Sequence, residues 1–141
     1  MTNDKNVMSK LNFDFSAIVQ NAKDVVIVTE ASPIDAPGPK IVYVNDAFTE
    51  TTGYSAEEVI GKTPRIFQKE GTDKEELSKI REALEKKEPV RVTLRNFSKT
   101  GKEYWVDISI LPLRDTEGKV THFASIQRDI TEYKKLEQDL Q

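Results

Sequence analysis

Three stretches in the second half of the chain are rich in β-branched, aromatic and other apolar side chains, which alternate with polar ones most clearly in the first, and only short turn sequences separate the stretches. They span residues 90–97, 102–113 and 120–129, with Lys-Thr-Gly at 99–101 and Asp-Thr-Glu-Gly at 115–118 between them. A side-chain period of two is typical of half-buried strands. Because connections this short join only antiparallel neighbours, the pattern predicts a three-stranded antiparallel meander.

The first half of the chain predicts two more strands and several short helices. Residues 25–29 are apolar and mostly β-branched, which favours a buried strand, and residues 41–44 predict its returning partner. The loop between them, 30–40, holds three prolines and a glycine. Capping residues mark four helix starts: Asn45 or Asp46, Ser55 with Glu58, Thr63 before Pro64, and Thr72 with Glu75. The last of these predicts a helix that continues to about residue 86.

Together these elements predict one α+β domain made of two strands, a run of short helices and a three-stranded meander, with a flanking helix at each end. We expect the core at residues 23–129. Residues 1–22 are expected to form a flank with a short cap helix, because Phe13, Phe15, Ile18 and Val19 have helical spacing and could pack on the sheet.

Residues 130–141 form a separate C-terminal segment in which Ile130, Tyr133, Leu136 and Leu140 follow helical spacing. Two interpretations stay open. The helix either folds back on the domain or begins a coiled coil that leads to an effector. The segment has only three spacings between apolar residues, too few heptad positions to distinguish the two.

Composition excludes several classes of function. The 141 residues include no cysteine, so disulfides, thiolate metal sites and a cysteine nucleophile are excluded. A net charge of −3 gives no electrostatic reason to bind nucleic acid or an anionic membrane. No apolar run approaches the roughly 20 residues that span a bilayer, and no P-loop, dinucleotide motif or nucleophile–base pair is present. We expect a cytoplasmic protein with no catalytic residues, no metal site and no enzymatic activity of its own.

Strand alternation bears on whether two amide side chains, those of Asn96 and Gln127, point into the core. Asn96 shares one face with Val90, Val92 and Leu94, so it is expected to point into the core. A buried amide costs roughly 1–3 kcal/mol unless its hydrogen bonds are satisfied. Gln127 shares a face with Phe123 and Ser125, but both faces of that strand mix apolar and polar groups, so alternation alone does not orient it.

The octet Gly-Lys-Thr-Pro-Arg-Ile-Phe-Gln at 61–68 resembles the segment that wraps the flavin in the LOV subfamily of PAS domains. The resemblance extends over about residues 25–133. It rests also on Val-Asn-Asp-Ala-Phe at 44–48, Thr-Gly-Tyr-Ser-Ala-Glu-Glu-Val-Ile-Gly at 52–61, Leu-Arg-Asn-Phe-Ser-Lys-Thr-Gly at 94–101, Tyr-Trp at 104–105 and Ile-Gln-Arg-Asp-Ile-Thr-Glu at 126–132.

The resemblance implies a single five-stranded antiparallel sheet with short helices on one face, and a pocket for FMN or FAD. It places the amides of Asn96 and Gln127 against the ring edge, where groups that both donate and accept hydrogen bonds are suited. It places Arg65 and Arg81 on the phosphate, which matches the planar donor fork of arginine. The remaining implied contacts are Gln68, near the ribityl chain or phosphate, and Thr29 and Phe67, which would line the ring cavity.

The chain departs from the LOV pattern at two positions. Pro64 stands where LOV domains carry the photoreactive cysteine, so no cysteinyl-flavin adduct is expected. Val106 stands where a second ring-binding asparagine is usual, which removes one hydrogen bond to the ring. Trp105, next to it, alternates with the core-facing residues and is expected on the outer sheet face, under a flanking helix or at a dimer interface.

The resemblance therefore implies a sensory module that binds flavin non-covalently, responds to blue light or redox state, dimerises, and signals to an effector through its C-terminal helix. A different class of function also fits: a ligand-free PAS scaffold for dimerisation and signal relay, since both departures would accompany loss of the flavin. A third possibility is a PAS pocket for another small metabolite.

Overall fold

The computed structural model describes residues 16–69 and 72–140, and its strands form one five-stranded antiparallel sheet. The strands are β1 (Val25–Glu30), β2 (Ile41–Val44), β3 (Val90–Phe97), β4 (Glu103–Arg114) and β5 (Val120–Asp129). Their order across the sheet is β2-β1-β5-β4-β3, so the first hairpin joins the meander where β1 pairs with β5. This confirms the predicted α+β fold and its meander.

The helices lie between the two parts of the sheet and at the ends of the described chain. They are α1 (Ser16–Gln20), α2 (Asp46–Thr52), α3 (Ala56–Val59), a 3₁₀ helix (Pro64–Phe67), α4 (Lys74–Lys86) and α5 (Thr131–Asp139). The longest of them, α4, packs on β3. Within the described residues, no helix is long and apolar enough to cross a bilayer.

Asn45 joins the first hairpin to the helices. Its side-chain oxygen accepts hydrogen bonds from the backbone N–H groups of Phe48, as the cap of α2, and of Val26 in β1. Its amide nitrogen donates to the backbone oxygens of Val19 and Asp24. Only 1% of Asn45 is exposed, and these four bonds satisfy its buried amide.

Two of the predicted helix starts differ from the structure. Ser55 and Glu58 form the predicted capping box of α3. The cap of α4 is Asp73, however, and not Thr72, because the Thr72 hydroxyl donates to the backbone oxygen of Arg95 and thereby ties this segment to β3. Thr63 makes no side-chain capping bond, although the helix after it does begin at proline.

The N-terminal helix is held by polar contacts. Phe13 and Phe15 lie outside the described residues, and the two apolar side chains that are described, Ile18 and Val19, are 56% and 37% exposed. Gln20 instead hydrogen-bonds to Asp46 and accepts a 2.6 Å bond from the Tyr43 hydroxyl. The predicted packing of Ile18 on the sheet is therefore wrong.

The C-terminal helix is attached to β4 at its first turn. The backbone N–H of Ile130 donates to the Trp105 oxygen at 2.9 Å, and the Trp105 N–H donates to the Thr131 hydroxyl at 3.0 Å. The ammonium of Lys134 lies 5.1 Å from the centre of the Trp105 ring, which is cation–π distance. Trp105 is thus half-buried on the outer face of the sheet, beside α5.

Candidate functional site

The core of the domain is divided by a cavity of about 400 Å³. One apolar cluster on its β1–β2 side includes Ile27 and Phe48, and a second on the β3–β4 side includes Leu94 and Ile108. This volume lies within the range of small-molecule sites. All seven residues that the sequence singled out line the cavity: Thr29, Arg65, Phe67, Gln68, Arg81, Asn96 and Gln127.

The two amides lie at the buried side of the cavity. Asn96 is 4% exposed and Gln127 is 7% exposed. Asn96 faces inward because it alternates with Arg95 and Phe97 on β3. Gln127 lies on β5 opposite Val25 of β1 and Ile108 of β4, so strands on both sides enclose it.

Each amide has a hydroxyl partner that leaves part of its hydrogen-bonding capacity for the cavity. Gln127 Nε2 donates to Ser125 Oγ at 3.0 Å, and Asn96 hydrogen-bonds to the Tyr104 hydroxyl, which is its neighbour across the β3–β4 pair. Burial raises the pKa of Tyr104 to about 12, while its hydrogen bond with Asn96 acts in the opposite direction. An amide can make four hydrogen bonds, so neither is saturated by these contacts.

The two arginines lie at the mouth and are exposed. They are the only charged side chains that line the cavity within residues 16–69 and 72–140. Arg65 forms no ion pair with any residue of that described part. Arg81, in contrast, pairs with Asp35 and with Glu85, whose Oε1 lies 3.1 Å from Arg81 Nε. The hydrogen bond that Arg81 donates to Asp35 is the largest cause that raises the pKa of Arg81, ahead of the charge of Asp35 and of Glu85.

The segment that carries Arg65 is shaped by glycine, proline and an aromatic anchor. Gly61 has φ +86°, a conformation that favours glycine. Pro64 then begins the 3₁₀ helix and itself lines the cavity. Phe67 is 2% exposed and packs edge-on against Phe48, with the ring centres 5.6 Å apart. With Phe67 fixed in the core, its neighbours on the same short segment are positioned at the cavity.

Thr29 and Val106 differ in their relation to the cavity. Thr29 is buried and lines it, at an irregularity in the β1–β2 pairing between Val28 and Thr29. Val106 faces inward with 1% exposed, but it packs in the β3–β4 cluster and does not line the cavity.

The sequence did not identify the loop between β1 and β2 as part of the site. Ile34, Gly38 and Pro39 from this loop line the cavity, and Asp35 reaches Arg81. The one available signal was Ile34, an isolated apolar residue among prolines and polar residues. Proline and glycine predict a loop but do not predict which way it folds.

Taken together, the cavity has apolar walls, buried amides at one side and guanidinium groups at the mouth. Such an arrangement can hold an elongated molecule that has a polar-edged aromatic ring inside and an anionic group outside. Within the described residues, no group of three histidine, cysteine or carboxylate side chains is placed to hold a metal ion.

Several proteins with similar sequences or structures are named as blue-light or light-oxygen-voltage proteins. A PAS domain family model matches residues 24–132. A blue-light-activated histidine kinase of Brucella anthropi is 35% identical over 117 residues, which cover 83% of this chain but 23% of that protein. The chain thus spans about a quarter of the length of this relative.

Solved structures with the same fold include two light-oxygen-voltage (LOV) proteins. The LOV domain of a blue-light-activated histidine kinase from Erythrobacter litoralis is 30% identical, with a TM-score of 0.72 over 79% of this chain and 99% of that one. An RNA-binding light-oxygen-voltage receptor is 34% identical, with a TM-score of 0.79 over 89% of this chain and 35% of that one. The chain therefore belongs to the PAS domain family and, within it, to the LOV group.

Proposed function

We propose that this chain is a sensory module that binds FMN or FAD non-covalently in the central cavity and responds to blue light or to redox state. The observation that carries this proposal is the polarity of the cavity, with buried Asn96 and Gln127 at one side and exposed Arg65 and Arg81 at the mouth. When bound, a flavin supplies a ring that absorbs blue light and accepts electrons.

Different residues of the chain would contact different parts of the flavin. Asn96 and Gln127 would hold the polar ring edge, since their amides retain free donors and acceptors. Thr29 and Phe67 would pack on the ring, and Gln68 and the arginines would hold the ribityl chain and phosphate. Pro64 leaves no thiol at the cavity wall, so the response proceeds without a cysteine bond to the ring.

A structural change at the flavin would be transmitted from the cavity to the C-terminal helix through β5 and α5. Gln127 is followed by Asp129, whose side chain accepts hydrogen bonds from the N–H and hydroxyl of Thr131 at the start of α5. Reorientation of the Gln127 amide would move the end of β5, and the bonds between Trp105 and α5 would pass that movement on. We propose that α5 connects to an effector or signalling partner, and that residues 130–141 begin a coiled coil in a homodimer. The cytoplasmic location and the absence of enzymatic activity stay predictions.

A ligand-free scaffold is the second candidate, and one observation favours it. The hydroxyls of Tyr104 and Ser125 give both buried amides a partner within the protein. The fold therefore gives Asn96 and Gln127 one hydrogen bond each without a ligand.

A flavin titration with amide variants separates the two candidates. Gln127→Leu and Asn96→Leu keep side-chain size but remove ring hydrogen bonds, so each should weaken FMN affinity about tenfold, since one hydrogen bond contributes about 1 kcal/mol or somewhat more. Gln138→Leu, which removes an exposed amide from α5, is the matched control. Circular dichroism without ligand checks that each variant folds. Equal FMN affinity in all folded variants would contradict the proposed site.

A further inference from the structure

The loop between β1 and β2 forms a tight turn over the cavity mouth. The N–H of Gly38 donates to the Asp35 oxygen at 2.8 Å, which closes a turn across residues 35–38. Gly38 has φ +96°, and a Cβ there would lie 3.5 Å from Arg65 Nε. This one turn therefore lies against Arg65 and also places the Asp35 carboxylate on Arg81.

The guanidinium of Arg81 is shared between two carboxylates. Asp35 accepts from its Nη2, and Glu85, one helical turn further along α4, accepts from its Nε. The formal charge of Arg65, Arg81, Asp35 and Glu85 together is zero. A phosphate monoester brings a charge of about −1.5 to −2 at pH 7, so it would have to displace a carboxylate and then lie close to it.

We infer that Asp35 is a specificity-determining residue that occupies the guanidinium a flavin phosphate would use, so that the cavity holds riboflavin nearly as firmly as FMN. This inference rests on the proposed flavin binding and deepens it. The ring contacts are the same for both flavins. Contact between the phosphate and Arg65 increases the affinity for FMN. At Arg81 the increase in affinity is offset by the loss of the existing ion pairs and by repulsion between the phosphate and two carboxylates.

The expected changes in flavin affinity follow from the solvent exposure of the Arg81–Asp35 ion pair. The side chains of Arg81 and Asp35 are 47% and 84% exposed, and an exposed ion pair shifts an equilibrium by at most about fivefold. Arg65 is exposed as well, so its contact with the phosphate is screened by solvent and contributes at most about fivefold on the same scale. We therefore expect FMN to bind less than about tenfold more tightly than riboflavin.

Fluorescence titrations with riboflavin and with FMN at low ionic strength test this inference. Asp35→Asn should tighten FMN binding by about two- to fivefold and leave riboflavin binding within about twofold, because only the phosphate interacts with the removed charge. Asp35→Asn with Glu85→Gln should increase the FMN preference further. Glu50→Gln is the matched control, since it removes one exposed carboxylate from α2, outside the cavity lining.

Two results would overturn the inference while leaving flavin binding intact. One is an FMN preference above about tenfold in the unmodified protein, and the other is an Asp35→Asn variant whose FMN-to-riboflavin ratio matches that of Glu50→Gln. Failure of the unmodified protein to bind either flavin would overturn both the inference and the proposed function.

Discussion

Asn96 shows how far a single residue could be interpreted from sequence. Strand alternation is a local property, so it predicted that Asn96 faces the core, and Asn96 is buried. Its partner was not predicted, because the contact with Tyr104 depends on the exact β3–β4 register, which follows from the turn geometry. For Gln127, alternation was ambiguous, and the resemblance to LOV domains indicated the side that the structure shows to be buried.

The buried phenol of Tyr104 predicts a pH dependence of stability. Its pKa is raised from 10.0 to about 12 in the folded state, chiefly by burial. Stability from the neutral phenol is therefore fully present below about pH 10 and is lost as the pH rises through about 12, a loss of about 2 to 3 kcal/mol. Tyr104→Phe should cost about 1 kcal/mol at neutral pH, through the lost bond to Asn96, and should lack this alkaline loss.

Urea unfolding between about pH 8 and pH 12 measures the difference. The stability curves of the unmodified protein and Tyr104→Phe should approach each other and cross as the pH rises. Tyr133→Phe, at a tyrosine that is 65% exposed, is the matched control. Parallel curves for Tyr104→Phe and the unmodified protein would mean that this phenol does not titrate as its burial implies.

At the scale of elements, capping signals and periodicity predicted where most helices and strands lie, and tertiary contacts explain the exceptions. Thr72 has the spacing of a capping residue, but its hydroxyl bonds to β3, and Asp73 caps α4 instead. The loop between β1 and β2 was predicted only as a loop. One of its contacts at the cavity is the ion pair of Asp35 with Arg81, which is 46 residues away in the chain.

The C-terminal helix leads to a prediction about assembly. Tyr133, Leu136 and Leu140 are 65%, 62% and 89% exposed, so the described part of the domain does not cover them, contrary to the interpretation in which the helix buries them by folding back. Their spacing fits the seam of a coiled coil. We expect a homodimer that Leu136→Glu converts to monomer, because a charge in the seam is disfavoured.

Light scattering coupled to gel filtration at several concentrations measures this change in mass. Gln138→Glu introduces the same charge at an exposed position of α5 outside that spacing, and it should leave the dimer intact. An unmodified protein that stays monomeric at high concentration would refute the dimer, and a dimer unaffected by Leu136→Glu would locate its interface elsewhere.

At the scale of the whole molecule, the sheet and the helices bring together side chains from distant parts of the sequence. The seven predicted residues come from β1, the 3₁₀ segment, α4, β3 and β5, and they line one cavity. Periodicity and capping predicted these elements separately, but only the resemblance to LOV domains indicated that the residues meet. No sequence pattern indicated that Arg81 would be paired with Asp35, and so the electrostatics of the mouth emerged only from the structure.

The most direct test of the account is the absorption spectrum after the unfolded protein has been refolded with excess FMN or FAD and freed of unbound ligand. The protein is expected to retain one flavin per chain, with a structured visible band and strong fluorescence, because the ring would be enclosed between the two apolar clusters. A correctly folded protein that remains colourless with both flavins would contradict the account and favour the ligand-free scaffold.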